Sequence, residues 1–410
     1  MESKKSIMKE NIGGLIFCIV FVLFSSIITV AQLDAGGGRY FALSLLHIPF
    51  GFIAWVIGNT IRKALLPKFV VTSGFLGLLK EKVFWRVGPQ LILSIIVLLF
   101  ASTITENSIK QRNLEAHANL LFDGGYVDGG SAYAEISREQ FIGLYAGDIE
   151  FVETDDIARA VTLIQRGNKY IRVNGNVTYE DVRTLLQARP SDGSGGVFLD
   201  LSGVSGWAEK YYNADFYVSS LNTGVVEFLV LPDEFTEIPS YFLSGGNLVT
   251  IYIPHTVTKI GEEAFKMLRD FGSIVIPPSV VEMNGIQFDG CHNLFNIFFS
   301  RNSRLKSIGT IWHGRLTRLD FPPQLESIEA LSVDTITELT FPETIKSIGR
   351  INIDKLHSVT ILATNPPDVN ARTFPSTIEN IYVPARSLQV YEDAWFNYEF
   401  TFNNQLKPIR

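Results

Sequence analysis

The sequence predicts a membrane-anchored α+β fold in three parts: three N-terminal transmembrane helices, a small α/β cap region, and a repeat solenoid built on one parallel, concave sheet. Three observations predict it. Residues 1–104 contain three long apolar segments, residues 105–196 carry start signals for helices, and one ladder of apolar positions recurs from residue 226 to 384. The ends of successive repeats are only 20 to 23 residues apart, which is the period of a solenoid.

The first part of the chain is predicted to cross a membrane three times. Residues 12–33, 40–61 and 87–104 are each close to the roughly 20 apolar residues that span a bilayer. The first and third segments contain no charged residue. A cleavable signal peptide is the alternative for residues 12–33, but this apolar stretch is longer than the ~7 to 15 residues of a signal core, and two further spans follow it.

The basic residues around these segments predict their orientation, because cytoplasmic loops are enriched in Lys and Arg. Three lysines precede the first segment and six Lys or Arg residues lie in 62–86, whereas the loop at 34–39 holds only Arg39. We therefore expect a multi-pass protein of the cytoplasmic membrane with a cytoplasmic N-terminus. Three crossings would place the chain after about residue 105 outside the cytoplasm.

Charge divides the chain in the same way. Residues 1–104 contain ten Lys or Arg against four Asp or Glu, a net charge of +6, whereas the remainder contains 25 against 38, a net charge of −13. The acidic part has no basic run with interleaved aromatic residues, which is the pattern expected of a nucleic-acid-binding surface. The sequence therefore excludes nucleic acid as a partner, and the lipid bilayer is the partner expected for the N-terminal part.

Residues 105–196 read as a folded α/β cap. Capping residues start three helical patterns, which predicts helices at 138–145, 156–166 and 179–188. The segment KYIRVNG between the last two reads as a strand, and VFLDLSG after them places Leu199 and Leu201 at ladder positions. A solenoid needs such an end cap, because its terminal repeat otherwise exposes its core. We expect this region to seal the first repeat.

The ladder defines the third part, residues 197–384. Seven of its eight repeats end in Pro or in a position aligned with it, and apolar residues stand six, three and one positions before each end. These twenty-four positions are Val226, Leu229, Leu231, Leu248, Ile251, Ile253, Phe271, Ile274, Ile276, Leu294, Ile297, Phe299, Leu316, Leu319, Phe321, Ile336, Leu339, Phe341, Leu356, Val359, Ile361, Ile378, Ile381 and Val383. The LxxLxL spacing is that of a leucine-rich repeat, in which every unit adds one strand to a shared parallel sheet.

The second half of each unit resembles the BspA-like type of leucine-rich repeat. The segments HTVTKIGEEAF and FDGCHNLFNIFF carry the resemblance, and IENIYVPARSLQVYEDAWFNY resembles the closing segment of many bacterial surface proteins of this type. The resemblance covers residues 197–400 and implies a bacterial protein whose repeats lie outside the cytoplasm, often for adhesion or ligand binding, with a C-terminal cap at 385–410. It brings no catalytic residues. The units at 309–316 and 349–356 depart from it, because they lack the AFxxC half.

The sequence does not predict an enzyme, a cofactor or a metal site. Its six histidines are scattered, and no GxSxG, HExxH or paired CxxC motif is present. The Gly-rich segment at 122–135 lacks the ligand spacing of an EF-hand, so a turn or hairpin is expected there. Cys291 is the only cysteine after the membrane region, in which Cys18 lies, so no internal disulfide is expected.

The candidate binding residues lie between the ladder positions. Because strand side chains alternate between faces, the residues two and four positions before each repeat end point away from the core, toward the concave side. The first repeats present apolar residues there, and the middle repeats present charged ones. The candidate partner-binding site consists of Phe228, Val230, Tyr252, Val275, Phe298, Arg318, Asp320 and Glu338. An apolar patch with a polar border is a candidate interface.

Two functions fit these features. In the first, the concave face binds a protein, peptide or glycan outside the cytoplasm, and the membrane helices tether it. In the second, the membrane helices are the working part of an assembly or transport component, and the solenoid is a scaffold. For the apolar patch itself, two alternatives stay open: cover by residues 105–196 or by a second copy in a homo-oligomer, and no role beyond the strand preference of these residues.

Overall fold

The computed structural model describes the chain in seven stretches. They are residues 110–127, 133–193, 196–208, 221–312, 314–370, 372–395 and 405–409. The chain divides into two compact units, residues 1–111 and 112–410, and the described residues lie almost entirely in the second.

The described part begins with an α/β region. Its elements are α1 (110–123), α2 (Arg138–Ala146), β1 (Val152–Thr154), α3 (Ile157–Gln165), β2 (Tyr170–Asn176), α4 (Tyr179–Gln187) and β3 (Val197–Ser205). Ser137 and Thr178 form capping boxes at the starts of α2 and α4, and the Asp156 carboxylate accepts two amide hydrogen bonds at the start of α3. The three helices predicted here are confirmed to within one residue at each end.

The repeats follow as short strands. In chain order they are β4 (Val226–Val230), β5 (Glu237–Ile238), β6 (Leu243–Ser244), β7 (Thr250–Tyr252), β8 (Lys259–Ile260), β9 (Phe265–Lys266), β10 (Ser273–Ile276), β11 (Glu282–Gln287), β12 (Asn296–Phe299), β13 (Ser307–Trp312), β14 (Ser327–Ser332), β15 (Glu338–Phe341), β16 (Ser347–Asn352), β17 (Ser358–Ile361) and β18 (Asn380–Val383). A 3₁₀ turn (Ala385–Ser387), α5 (Leu388–Trp395) and β19 (Leu406–Pro408) complete the described chain.

The strands that carry the ladder follow one another along one side of the solenoid. We call this set of strands the front sheet. Its hydrogen-bonded groups are β1-β2-β3-β4-β7, then β10-β12, then β15-β17-β18-β19. Between β7 and β10, a backbone hydrogen bond from the Gly272 N–H to the Val249 carbonyl connects successive repeats at 2.8 Å. The back sheet has the order β16-β14-β13-β11-β8-β5. The pairing is parallel in both sheets, as one strand added per repeat requires.

One hydrophobic core runs through the solenoid. All of the predicted ladder positions belong to it, and none is more than 4% exposed. The predicted ladder is therefore confirmed. The fifth repeat differs in one respect: Leu316, Leu319 and Phe321 are buried like the others, but residues 316–321 form no strand. Because burial in the core does not depend on sheet pairing, this repeat keeps the apolar column continuous while the front sheet is interrupted.

Proline marks the repeat ends because a turn begins there. The Pro232 carbonyl accepts a hydrogen bond from the Phe235 N–H at 3.3 Å. The same four-residue turn starts at Pro254, Pro277, Ser300, Pro322, Pro342 and Pro384. Proline has no N–H with which to continue a parallel ladder, so it stops the front strand at this point. Ser300 makes the same turn without proline, which explains why it aligns with the prolines in the sequence.

The last repeats are closed by side chains from α5. The Tyr391 hydroxyl donates to the Ala363 carbonyl at 2.8 Å, and the Trp395 indole N–H donates to the Pro367 carbonyl at 3.3 Å. Both rings are buried, and they contact each other edge to face. In the front sheet, β19 pairs with β18 as a final strand. Bulky rings thus cover the apolar column where no further repeat follows in the described chain.

The membrane-anchored part of the predicted fold class is corrected by the structure. Among the residues that it describes, no helix has the length and apolar character needed to cross a membrane. The helices α2 to α5 have eight or nine residues, about 14 Å at ~1.5 Å per residue, and they pack on the repeats rather than spanning ~30 Å. The predicted spans 12–33, 40–61 and 87–104 lie outside the described residues.

The same finding corrects the predicted localisation. The prediction of a multi-pass protein of the bacterial cytoplasmic membrane with a cytoplasmic N-terminus depends on those three segments and on the basic residues around them, and no helix of the described chain supports it. The fold class that the structure supports is a solenoid of parallel strands that begins with an α/β region.

Glycine is required where strands of the back sheet approach each other most closely. A Cβ added at Gly349 in β16 would lie 1.8 Å from the Glu329 carbonyl oxygen of β14. A Cβ added at Gly309 in β13 would lie 2.2 Å from the Gly285 carbonyl oxygen of β11. Both obstacles are backbone atoms in a close-packed sheet, so they cannot move aside without breaking the pairing.

We predict that Gly349→Ala lowers the free energy of unfolding by about 2 kcal/mol or more, because the new methyl group must displace the neighbouring strand. The matched control is Gly143→Ala in α2, where an added Cβ meets nothing within 4 Å. There, alanine is expected to be neutral or to stabilise the helix by up to ~1 kcal/mol. The midpoint of urea denaturation measures both variants, and equal midpoints would contradict the proposed close approach.

Candidate binding surface on the front sheet

The front sheet brings the predicted apolar site residues together. In adjacent strands, Val230 is the register partner of Tyr252, and Val275 is the register partner of Phe298. Phe228 lies two residues before Val230 on the same face of β4. The predicted alternation of side chains is therefore correct, since these residues are on the side of the sheet opposite to the ladder.

The outer side of this patch is not open to solvent. Phe228, Val230, Tyr252 and Phe298 are at most 7% exposed, and Val275 is half-buried. They form a second hydrophobic core with residues that precede the repeats. We call this preceding segment, residues 112–127 and 133–146, the front cover. It contributes Leu114, Ala118, Leu121, Ala134, Ile136, Phe141 and Ala146 to the second core.

Aromatic contacts make up the centre of the second core. Phe141 of α2 lies 5.7 Å from Tyr252 and 6.1 Å from Phe198, measured between ring centroids. Tyr145, one turn further along α2, lies 5.2 Å from Phe228. The geometries are tilted or edge to face, the arrangements that aromatic rings prefer. Burial also raises the pKa of the Tyr252 hydroxyl above its ordinary value.

Polar contacts fix the margins of the front cover. The Asn296 amide donates to the Ala118 carbonyl at 3.0 Å, and the Ser300 hydroxyl donates to the Glu135 carboxylate at 2.7 Å. At the end of β12, the Ala134 N–H donates to the Phe299 carbonyl at 2.9 Å, so the cover also binds the backbone of the sheet. Apolar burial holds the centre, and these hydrogen bonds define the position of the cover along the repeats.

The sequence contained a signal for this cover. Leu114, Ala118 and Leu121 recur at helical spacing, i, i+4 and i+7, and they face the second core from α1. The helices predicted from capping residues did not include α1, because this helix is marked by periodicity rather than by a cap. One open alternative for the apolar patch is cover by residues 105–196. In the structure, the front cover, which belongs to this region, packs on the patch.

The remaining candidate residues lie beyond the front cover. Arg318 and Asp320 form an ion pair at 3.2 Å, with 41% and 23% of their side chains exposed. Glu338 begins β15 and is exposed. Polar side chains continue these rows on the following strands, where Thr340 pairs in register with Thr360 and Thr360 with Tyr382. We call this surface the open half; its residues are Arg318, Asp320, Glu338, Thr340, Ser358, Thr360, Asn380 and Tyr382.

No group of three or more His, Cys, Asp or Glu residues in the part of the chain that the structure describes could hold a metal ion. Cys291 is buried, its thiol donates to the Phe265 carbonyl at 3.1 Å, and burial raises its pKa to about 12. It is therefore a thiol at neutral pH, and its side chain fills the core.

The class of protein follows from this geometry: a leucine-rich repeat solenoid with parallel front and back sheets. Residues 221–332 match the family model described as BspA type leucine rich repeat region, with six copies. The chain thus contains a BspA-type leucine-rich repeat region, as its sequence predicted. The match supports a repeat protein with a role in binding or adhesion, since leucine-rich repeat domains generally mediate protein binding.

Two solved structures are similar to parts of the chain. A leucine-rich repeat protein from Bacteroides ovatus ATCC 8483 has 14% sequence identity and a TM-score of 0.25, with 60% of this chain and 85% of that chain covered. The pneumococcal vaccine antigen PcpA has 13% identity and a TM-score of 0.19, with 53% of this chain and 84% of that chain covered. The comparison with curated proteins found no match.

We predict that the covered half and the open half respond differently to the same kind of truncation. Phe298→Ala removes a fully buried ring from the second core and should lower the free energy of unfolding by about 3 to 5 kcal/mol. The control is Thr340→Ala. Thr340 stands at the same position in its repeat as Phe298 but lies on the open half, so this change should alter the free energy of unfolding by less than ~0.5 kcal/mol. Urea denaturation measures both, and similar losses would contradict the cover.

The half-buried His117 gives a second prediction, on how the stability of the protein depends on pH. His117 of α1 contacts Phe228 edge to face at 5.4 Å, and burial lowers the pKa of its imidazole below the ordinary value of 6.5. The unfolded chain then binds this proton more readily than the folded chain, so stability is lost as pH falls below about 6.5. His117→Gln should reduce the decrease in unfolding free energy between about pH 7.5 and 5.5. An unchanged pH profile would contradict the packing of His117 against Phe228.

Proposed function

We propose that this protein recognises a protein, peptide or glycan partner through the open half of its front sheet. The observation that carries the proposal is the division of that sheet. Its apolar residues are already covered by the chain itself, whereas the polar rows from Glu338 to Tyr382 have solvent-accessible side chains on paired strands, with Arg318 and Asp320 before them. A pre-ordered surface loses little conformational entropy when it binds.

The chemistry of the open half suits a polar ligand. Hydroxyl groups of Thr340, Thr360 and Tyr382 lie on three neighbouring strands, about 4.8 Å apart from strand to strand. Each hydroxyl can both donate and accept a hydrogen bond, and Asn380 adds an amide. The Arg318–Asp320 ion pair stands at one end of these rows. Such a surface recognises backbone amides or sugar hydroxyls rather than an apolar side chain.

The predicted site residues therefore divide into two roles in this proposal. Arg318, Asp320 and Glu338 contact the partner directly. The five apolar residues, Phe228, Val230, Tyr252, Val275 and Phe298, act indirectly: they hold the front cover and so fix where the binding surface begins.

Display libraries test the proposal. The full chain is screened against a peptide display library and a glycan array, and the ligands found are measured again with the double variant Thr340→Arg/Thr360→Arg, which places two long side chains on the open half. The matched control is Thr310→Arg/Ser327→Arg on the half-exposed back sheet. We expect at least a tenfold loss of affinity in the first variant alone. Equal affinity of both variants for every ligand would exclude the open half.

A further inference from the structure

In the part of the chain that the structure describes, β1 lies at the edge of the front sheet, and we call its unpaired side the free edge. β1 pairs with β2 on one side, from Val152 with Ile171 to Thr154 with Val173. On its other side, no strand of the described chain pairs with it, and β1 is the terminal member of its five-stranded group. An edge strand presents backbone N–H and carbonyl groups that can pair with a further strand.

This edge is rigid rather than frayed. The Phe151 ring, one residue before β1, lies 5.1 Å from Phe198 and 5.9 Å from Tyr170. Arg172 of β2 binds Glu153 at 2.8 Å, and it also binds the fully buried Asp200 at 2.7 Å. The strand is therefore fixed to the sheet by ring packing and by an ion-pair network, so its outer edge is held in an extended form before any partner arrives.

Acidic side chains surround the free edge. Five carboxylates occur within nine residues, at Asp148, Glu150, Glu153, Asp155 and Asp156, and all five side chains belong to exposed residues. Glu153 and Asp156 have structural partners, since they bind Arg172 and cap α3 respectively. A concentration of one sign of charge attracts segments of the opposite sign and repels a second copy of itself.

An exposed apolar side chain lies beside these charges. Ile149 is 48% exposed, among the most exposed large apolar residues in the described chain. It stands between Asp148 and Glu150, three residues before β1. Asp148 lies in the turn that follows α2, and residues 149–151 lead from it into β1, so acidic and apolar side chains stand just before the edge strand. A peptide that adds to this edge and carries basic and apolar residues complements them.

We propose that the free edge of β1 binds an extended, basic peptide segment, which adds to the front sheet as a further strand. Backbone hydrogen bonds to residues 152–154 would supply the pairing, and the exposed carboxylates of Asp148 and Glu150, just before the strand, would favour Lys or Arg in the peptide. Pairing of two copies of this chain through β1 is disfavoured by the same charges, since like charges directly opposite each other repel.

The test uses the full chain and a fluorescent decapeptide of alternating Lys and Val. Fluorescence anisotropy should detect binding, and hydrogen exchange should slow at the amides of residues 152–154. A second peptide, N-methylated at alternate residues, keeps every charge but loses the N–H groups of one edge. We expect its affinity to fall at least tenfold. Charge alone would bind both peptides equally, and that result overturns the proposal.

Variants of the protein locate the site. Asp148→Lys/Glu150→Lys reverses two exposed charges beside β1, and it should weaken binding of the Lys-Val peptide at least tenfold. The control, Glu343→Lys/Asp354→Lys, changes the net charge equally at exposed positions far along the chain and should leave binding within about twofold. Equal weakening by both variants, no binding by the full chain, or unchanged exchange at residues 152–154 would each overturn the proposal.

Discussion

The fold depends on one constraint: the first repeats are apolar on both sides of the front sheet. The ladder residues fill the core, and Phe228, Tyr252 and Phe298 project from the opposite side of the same strands. A parallel sheet with two apolar faces is stable only when both are covered. The repeats themselves cover one face by stacking. The other face requires a separate element, and the front cover fills that requirement.

The constraint ends where the sequence changes. At the fifth repeat, Asp320 stands at the outward position that is apolar in the four earlier repeats, Arg318 adds a second charge two residues before it, and the strand itself is lost between 316 and 321. The front cover also reaches its limit here, since the Tyr133 hydroxyl donates to the Phe321 carbonyl at 2.7 Å. Polar outward side chains need no cover, so the open half remains available for recognition.

The repeat architecture could be predicted from the sequence because each ladder position has one requirement, an apolar side chain, that is visible in a single residue. The helices α2, α3 and α4 could be predicted because Ser137, Thr154 with Asp155, and Thr178 are local signals, although the N-cap of α3 is Asp156, one residue further on. The cover could not be placed in the same way: Asn296 bonds to Ala118, 178 residues away, and no local pattern reports such a contact. The membrane-anchored fold class rested on segment hydropathy and is corrected.

The most direct test of the covered front sheet is an engineered disulfide between the front cover and the front sheet. A Cβ at Gly272 would lie 3.4 Å from the Ala118 Cβ, close to the ~3.5 to 4.5 Å of a disulfide. With the native cysteines replaced, Ala118→Cys/Gly272→Cys should cross-link nearly completely under mild oxidation, detected by mass spectrometry. Glu115→Cys/Gly272→Cys, from an exposed position of the same helix, should not. Absence of the first cross-link, or equal yields for the two pairs, would contradict the covered front sheet.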